Sequence, residues 1–192
     1  IKLNPGHVAA HQGYGRALGF LGRREDAVRE LQRARDLDPL SVVVNAYLGQ
    51  VYFFFRQYDR AAERLQWTLT LNPDHPLIHH NLGELYLGQG RFGNAIEHLE
   101  RSVERAGEPS THYLAMLGCA FARGNQRSKA LAILSDLTAR SNRGLGSGFD
   151  LASLHAALGD LPSAMASLER GYDQRDLWLA ELNGWPWFDG LI

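Results

Sequence analysis

The chain contains one cysteine, Cys119, and two lysines, Lys2 and Lys129, in 192 residues. A lone cysteine excludes an intrachain disulfide framework and a thiolate metal cage, and it suits a reducing compartment such as the cytoplasm. No apolar run approaches the length that a membrane-spanning helix needs, so a membrane role is not expected. Neither sign of charge dominates: 20 basic and 21 acidic side chains leave a net charge of -1. The electrostatic footprint of a nucleic-acid binder is therefore missing. A glycine-rich phosphate loop, a serine nucleophile elbow and a paired-carboxylate constellation are missing too, so neither a cofactor nor catalysis is expected. The near replacement of Lys by Arg points to a GC-rich bacterial genome.

What is present is periodicity. Pro5, Pro39 and Pro73 lie 34 positions apart in Leu-Asn-Pro, Leu-Asp-Pro and Leu-Asn-Pro contexts. The row Gly15, Gly49, Gly83, Gly118 and Ala152 advances by 34, 34, 35 and 34 residues, and the row Ala27, Ala61, Ala95, Ala130 and Ala164 keeps the same steps. Two rows sharing one register, including its single slip, mark a repeat in which each unit buries its apolar face only by stacking on its neighbours.

Helix starts and stops follow from the same landmarks. Proline lacks a backbone N–H and fits the first turn of a new helix, with Asp38 and Asn72 before it as N-terminal caps. The first helix is expected from His7 to Leu21 and the second from Glu25 to Leu37. Further helices follow near 42–55, 59–71, 76–89, 92–105, 111–123, 127–139, 149–158 and 161–174. In the first helix His11, Tyr14, Gly15 and Leu18 share the face that meets the second helix. Glycine there permits close backbone approach, and the second-helix alanine fits the crossing.

Leu48-Gly49 with Tyr52, Leu82-Gly83 with Tyr86, Leu117-Gly118 with Phe121, the second-helix alanines, the leucines Leu31, Leu65, Leu99, Leu134 and Leu168, and Pro39 and Pro73 together resemble the tetratricopeptide-repeat (TPR) consensus over nearly all of residues 1–175. The resemblance implies an all-α fold, a right-handed solenoid of about five helix pairs. Residues 1–6 read as the end of an upstream repeat, 7–140 as repeats one to four, 141–175 as a loop and a degenerate fifth repeat, and 176–192 as an aromatic C-terminal cap. A short helix from Leu177 to Leu182 would cover the apolar face of repeat five, stopped by Asn183-Gly184. Leu158-Gly159-Asp160 through Pro186-Trp187-Phe188-Asp189 also resembles the C-terminal TPR region of large bacterial regulators.

The resemblance further implies a non-catalytic interaction scaffold whose concave groove binds a peptide or partner domain. Mapped by register, the groove carries Gln12, Arg16, Phe20, Gln50, Phe53, Phe54, His80, Glu84, Leu87, His112, Cys119 and Arg123. Tyr52-Phe53-Phe54-Phe55 stands out because successive helical side chains fan out by about 100°. Phe53 and Phe54 then either serve as exposed anchors or pack against adjoining first helices. End-to-end stacking into a self-associated assembly, and service as the TPR arm of a glycosyltransferase, are the alternative roles.

His7 with His11 and His75 with His79 stand four apart at helix starts, but His75, His79 and His80 have no neighbouring cysteine or convincing acidic ligand in sequence to complete a zinc site, so no metal is expected. Cys119 lies two helical turns from His112 and reads as a packing residue. The groove positions that clamp chaperone C-termini in one TPR subtype are matched here only by Asn81.

Overall fold

A computed structural model describes residues 6–185 and 188 of the chain. Among these residues are ten α-helices and no strand: α1 (Val8–Phe20), α2 (Arg24–Leu37), α3 (Val42–Phe54), α4 (Tyr58–Leu71), α5 (Pro76–Gly88), α6 (Phe92–Arg105), α7 (Thr111–Arg123), α8 (Arg127–Ser141), α9 (Gly148–Ala157) and α10 (Leu161–Asp173). Each expected helix is present with its ends moved by two residues at most. Helices pair in order, α1 with α2 through α9 with α10, and the first helices of successive pairs also touch, forming the inner wall of an α-solenoid. The expected upstream-repeat remnant at 1–5 lies outside the described residues.

The caps differ from expectation. Asp38 and Asn72 are the C-caps of α2 and α4, not N-caps. The helices that follow are capped by Ser41, whose hydroxyl accepts from the Val44 N–H, and by His75, whose Nδ1 accepts from the Leu77 N–H. Pro39 and Pro73 therefore sit in the linking turn, and it is Pro76 that occupies the first turn of α5. The reason is spatial: a two-helix unit needs a few non-helical residues to reverse direction, and a proline two residues before the cap blocks continuation of the preceding helix.

The alanine row holds through all five repeats, whereas the leucine row holds through three and then loosens. Ala27, Ala61, Ala95, Ala130 and Ala164 are all fully buried, as are Leu31, Leu65 and Leu99. A Cβ added at Gly49 would come within 2.6 Å of the Leu65 side chain, so only glycine lets the leucine knob seat there. Leu134 and Leu168 are only half-buried. At Gly118 the space is filled instead by Leu154 of α9 and Ile133 of α8, at 2.9 and 3.2 Å from a notional Cβ. In repeat five, where Ala152 replaces the glycine, close approach moves to Gly148, whose notional Cβ would lie 2.6 Å from the Gly171 Cα of α10.

The segment after α10 is a 3₁₀-helix, Leu177–Gly184, rather than an α-helix. It touches both α10 and α1, so it runs from the last helix back to the first. Asp176 anchors its start: Oδ2 accepts from the Ser147 hydroxyl at 2.6 Å and the Phe149 N–H at 3.1 Å, while Oδ1 accepts from the Trp178 N–H at 3.1 Å. One carboxylate thus caps the tail and ties it to the start of α9. Pro186, Trp187 and Asp189 lie outside the described residues.

Candidate functional site on the inner wall

The inner wall is built from the first helices of each pair, whose second faces are free of the hairpin partner. Two clusters form there, one aromatic and one ionic. In the aromatic cluster Trp185 is fully buried, its ring meeting Phe53 at 5.8 Å, Phe54 at 5.3 Å, His112 at 5.7 Å and Phe149 at 5.8 Å between centroids. Edge-on contacts of this kind contribute beyond the burial of area. Phe20 leans on Phe54 at 6.3 Å, Phe188 on Phe149 at 5.6 Å, and Trp178 stacks on His112 at 4.3 Å. The tail's tryptophans therefore meet α9 of repeat five, as expected, and also α3 and α7 of repeats two and four. Phe53 and Phe54 are accordingly 1% and 7% exposed, buried by the chain's own tail as well as by Phe20 and Tyr58.

The ionic cluster joins three repeats. His112 Nδ1 lies 2.9 Å from Asp150 Oδ1, and its Nε2 lies 3.2 Å from Glu84 Oε1. His80 Nε2 is 2.8 Å from the same Glu84 oxygen, yet off the direction in which a ring N–H would donate, so proximity there is not a formed hydrogen bond. All four side chains are 4% exposed or less. Burial by itself would lower the His112 pKa, but the bonds to Asp150 and Glu84 outweigh it and raise it to about 10. Burial likewise opposes ionisation of Glu84, and the neighbouring His80 and His112 overcome it and bring its pKa down to about 2. His80 stacks on Tyr113 at 4.1 Å, and burial chiefly, with Glu84 nearby, lifts the Tyr113 phenol to about 12.

The remaining expected groove residues spread out. Arg16 lies over the rings of Phe20 and Tyr47 at 5.1 and 4.9 Å, at the α1 end of the wall, with Gln12 half-buried on the same helix. Gln50 and Leu87 are buried. Cys119 is buried and its thiol is pushed well above the usual range by that burial, which suits a packing residue and not a nucleophile. Arg123 is exposed and lies 5.8 Å over Phe92 of α6. Phe149, Asp150, Trp178 and Trp185 also belong to the clusters but lie beyond repeat four, where the register assignment stopped, and Tyr113 of α7 was passed over within it.

The histidine pairs singled out in the sequence separate. His7 and His75 cap helices, His11 pairs with Glu30 at 2.6 Å, and His79 lies between His98 at 2.9 Å and the Pro73 carbonyl at 2.8 Å. Asn81, the one clamp-like residue, donates to the Ala46 carbonyl at 2.9 Å and so ties α5 to α3. No helix among the described residues is long and apolar enough to cross a membrane.

Comparison with known proteins agrees with this architecture. Two family models, both described as tetratricopeptide repeat, match residues 48–110 and 147–170. No curated protein matches the chain. Among solved structures, TTC0263, a thermophilic TPR protein of Thermus thermophilus, is similar at a TM-score of 0.72 and 19% identity, over 93% of this chain and 98% of that one. YrrB, a TPR protein with an unusual peptide-binding site, is similar at 0.55 and 19%, over 94% and 93%. MamA in its MSR-1 C2 form is similar at 0.55 and 22%, over 88% and 97%. With the 34-residue period realised as stacked helix pairs and two family matches along it, the chain carries tetratricopeptide repeats stacked as an α-solenoid.

Proposed function

We propose that the inner wall binds an extended polypeptide segment carrying an aromatic anchor, and that residues 177–185 hold this place until a partner displaces them. The observation that carries the reading is the fully buried Trp185 among Phe53, Phe54, His112 and Phe149, drawn from three different repeats. Large aromatic side chains in desolvated pockets supply most of the affinity at protein interfaces. A ring reached only by a short terminal segment is the simplest intramolecular version of such an anchor. The half-buried Arg16 and Gln12 of α1 offer polar contacts to a bound backbone, and the peptide-binding site of YrrB on a similar fold supports the same use here. The module itself is non-catalytic and serves as the interaction region of a larger bacterial regulatory protein, its tail setting how readily the groove opens.

A synthetic peptide of residues 176–192, labelled with a fluorophore, tests this in trans. It should bind a Trp185→Ala chain with micromolar affinity and bind the unaltered chain far more weakly, because there the attached tail competes at high effective concentration. Phe53→Ala with Phe54→Ala in the Trp185→Ala chain should abolish the binding. Equal binding to all three chains would remove the inner wall as the recognition surface.

A further inference from the structure

The ionic cluster is not explained by peptide recognition, since its polar atoms are sealed from solvent. Among the described residues, His80, Glu84 and His112 form the one group of three potential metal ligands whose donor atoms all lie within 4.8 Å of one another. Four buried polar atoms at this point lack a hydrogen-bond partner: Nδ1 and Nε2 of His80, Oε2 of Glu84 and Oδ2 of Asp150. Buried polar atoms are rarely left so, and two of the four, His80 Nε2 and Glu84 Oε2, belong to that ligand group.

We propose that His80, Glu84 and His112 bind a divalent transition-metal ion, zinc above all, with Asp150 as the outer carboxylate that orients His112. The ligand set is two imidazoles and one carboxylate, which suits zinc and leaves a fourth position for an enclosed water. His112 Nδ1 donates to Asp150 Oδ1 at 2.9 Å, which leaves Nε2 as the donor atom, the arrangement in which a carboxylate fixes a metal-bound histidine. Zinc displaces to solvent the proton that Nε2 otherwise shares with Glu84. Its two positive charges balance the two buried carboxylates, and it satisfies His80 Nε2 and Glu84 together. Because α5 carries His80 and Glu84 and α7 carries His112, the ion pins repeats three and four at the inner wall, and through Asp150 it reaches α9.

Calorimetric titration of zinc chloride into the chelator-treated full chain tests the site, together with cobalt(II) absorption. One equivalent should bind with submicromolar affinity, and cobalt should give the intense visible bands of a four-coordinate nitrogen and oxygen site. His80→Gln is the decisive variant, since the ring makes no aligned hydrogen bond and its loss should leave the fold intact by circular dichroism. It should weaken zinc at least tenfold and remove the cobalt bands, and Glu84→Gln should do the same. His75→Ala, at the cap of α5, should bind as the unaltered chain does. Absence of stoichiometric binding would overturn the proposal and leave the cluster as an ion-pair network. Binding that survives His80→Gln, or that is lost in His75→Ala, would overturn it as well.

Discussion

Replacing Trp185 by alanine should release the tail without unfolding the solenoid. The indole is fully buried, and a tryptophan side chain removes roughly 200 Å² from water, so its loss withdraws about 5 kcal/mol at about 25 cal/mol per Å². In a core that must keep its shape, such a change leaves a cavity and costs about 3–5 kcal/mol of global stability. The tail is different, because it is terminal and docks on repeats that hold together through their own Gly, Ala and Leu rows. A segment of this kind opens locally at a fraction of the global free energy, so the loss is enough to undock it. Amide exchange at 177–185 should rise to that of an open chain, while exchange in α3 to α6 stays slow. Limited proteolysis should cut after Asp173. Persistence of tail protection in Trp185→Ala would refute the view that this one ring fastens the segment. So would a collapse of protection throughout α3 to α6, which would make the tail part of the folding core.

Other outcomes follow from the same geometry. Asp176→Ala removes the acceptor for Ser147, Phe149 and Trp178 together and should cost about 1–3 kcal/mol in tail docking, read by the same exchange measurement. Ala95→Leu places a large side chain at a fully buried crossing between α5 and α6 and should lower stability by about 1–3 kcal/mol in urea denaturation. Burial first, and the neighbouring His79 second, lower the His98 pKa from 6.5 to about 4. The folded state therefore binds fewer protons than the unfolded state in that window, so the contribution of His98 is complete above about pH 6.5 and is lost as the pH falls towards about 4. His98→Gln should lose less stability than the unaltered chain between those limits, and equal losses would count against the neutral ring.

Most of the scaffold is legible in the residues because a repeat states each rule several times. Gly49 and Leu65, or Ala61 and Ala95, recur at one interval, and that interval survives insertions elsewhere. The caps were less legible: Asp38 and Asn72 have the chemistry of N-caps, yet they stand just before a reversal that only the path of the chain defines. The inner-wall clusters were half visible. His80, Glu84 and His112 share the groove stripe and could be placed there singly, but their convergence depends on how far each helix rotates on the next, and Asp150 comes from the degenerate repeat, where the consensus fades. The tail has no periodicity at all. Its four aromatic residues announce that it must pack on something, while the target, Phe53 and Phe54 more than a hundred residues earlier, is set by the curvature of the solenoid.

The tail lies along the inner wall and reaches α3. Nuclear Overhauser spectroscopy on a deuterated chain with protonated Trp and Phe rings measures this directly. The Trp185 indole, at 5.3 Å from the Phe54 ring and 5.8 Å from Phe149, should give cross-peaks to both. Cross-peaks to Phe149 alone, with none to Phe53 or Phe54, would place the tail against the last repeat only and contradict the account.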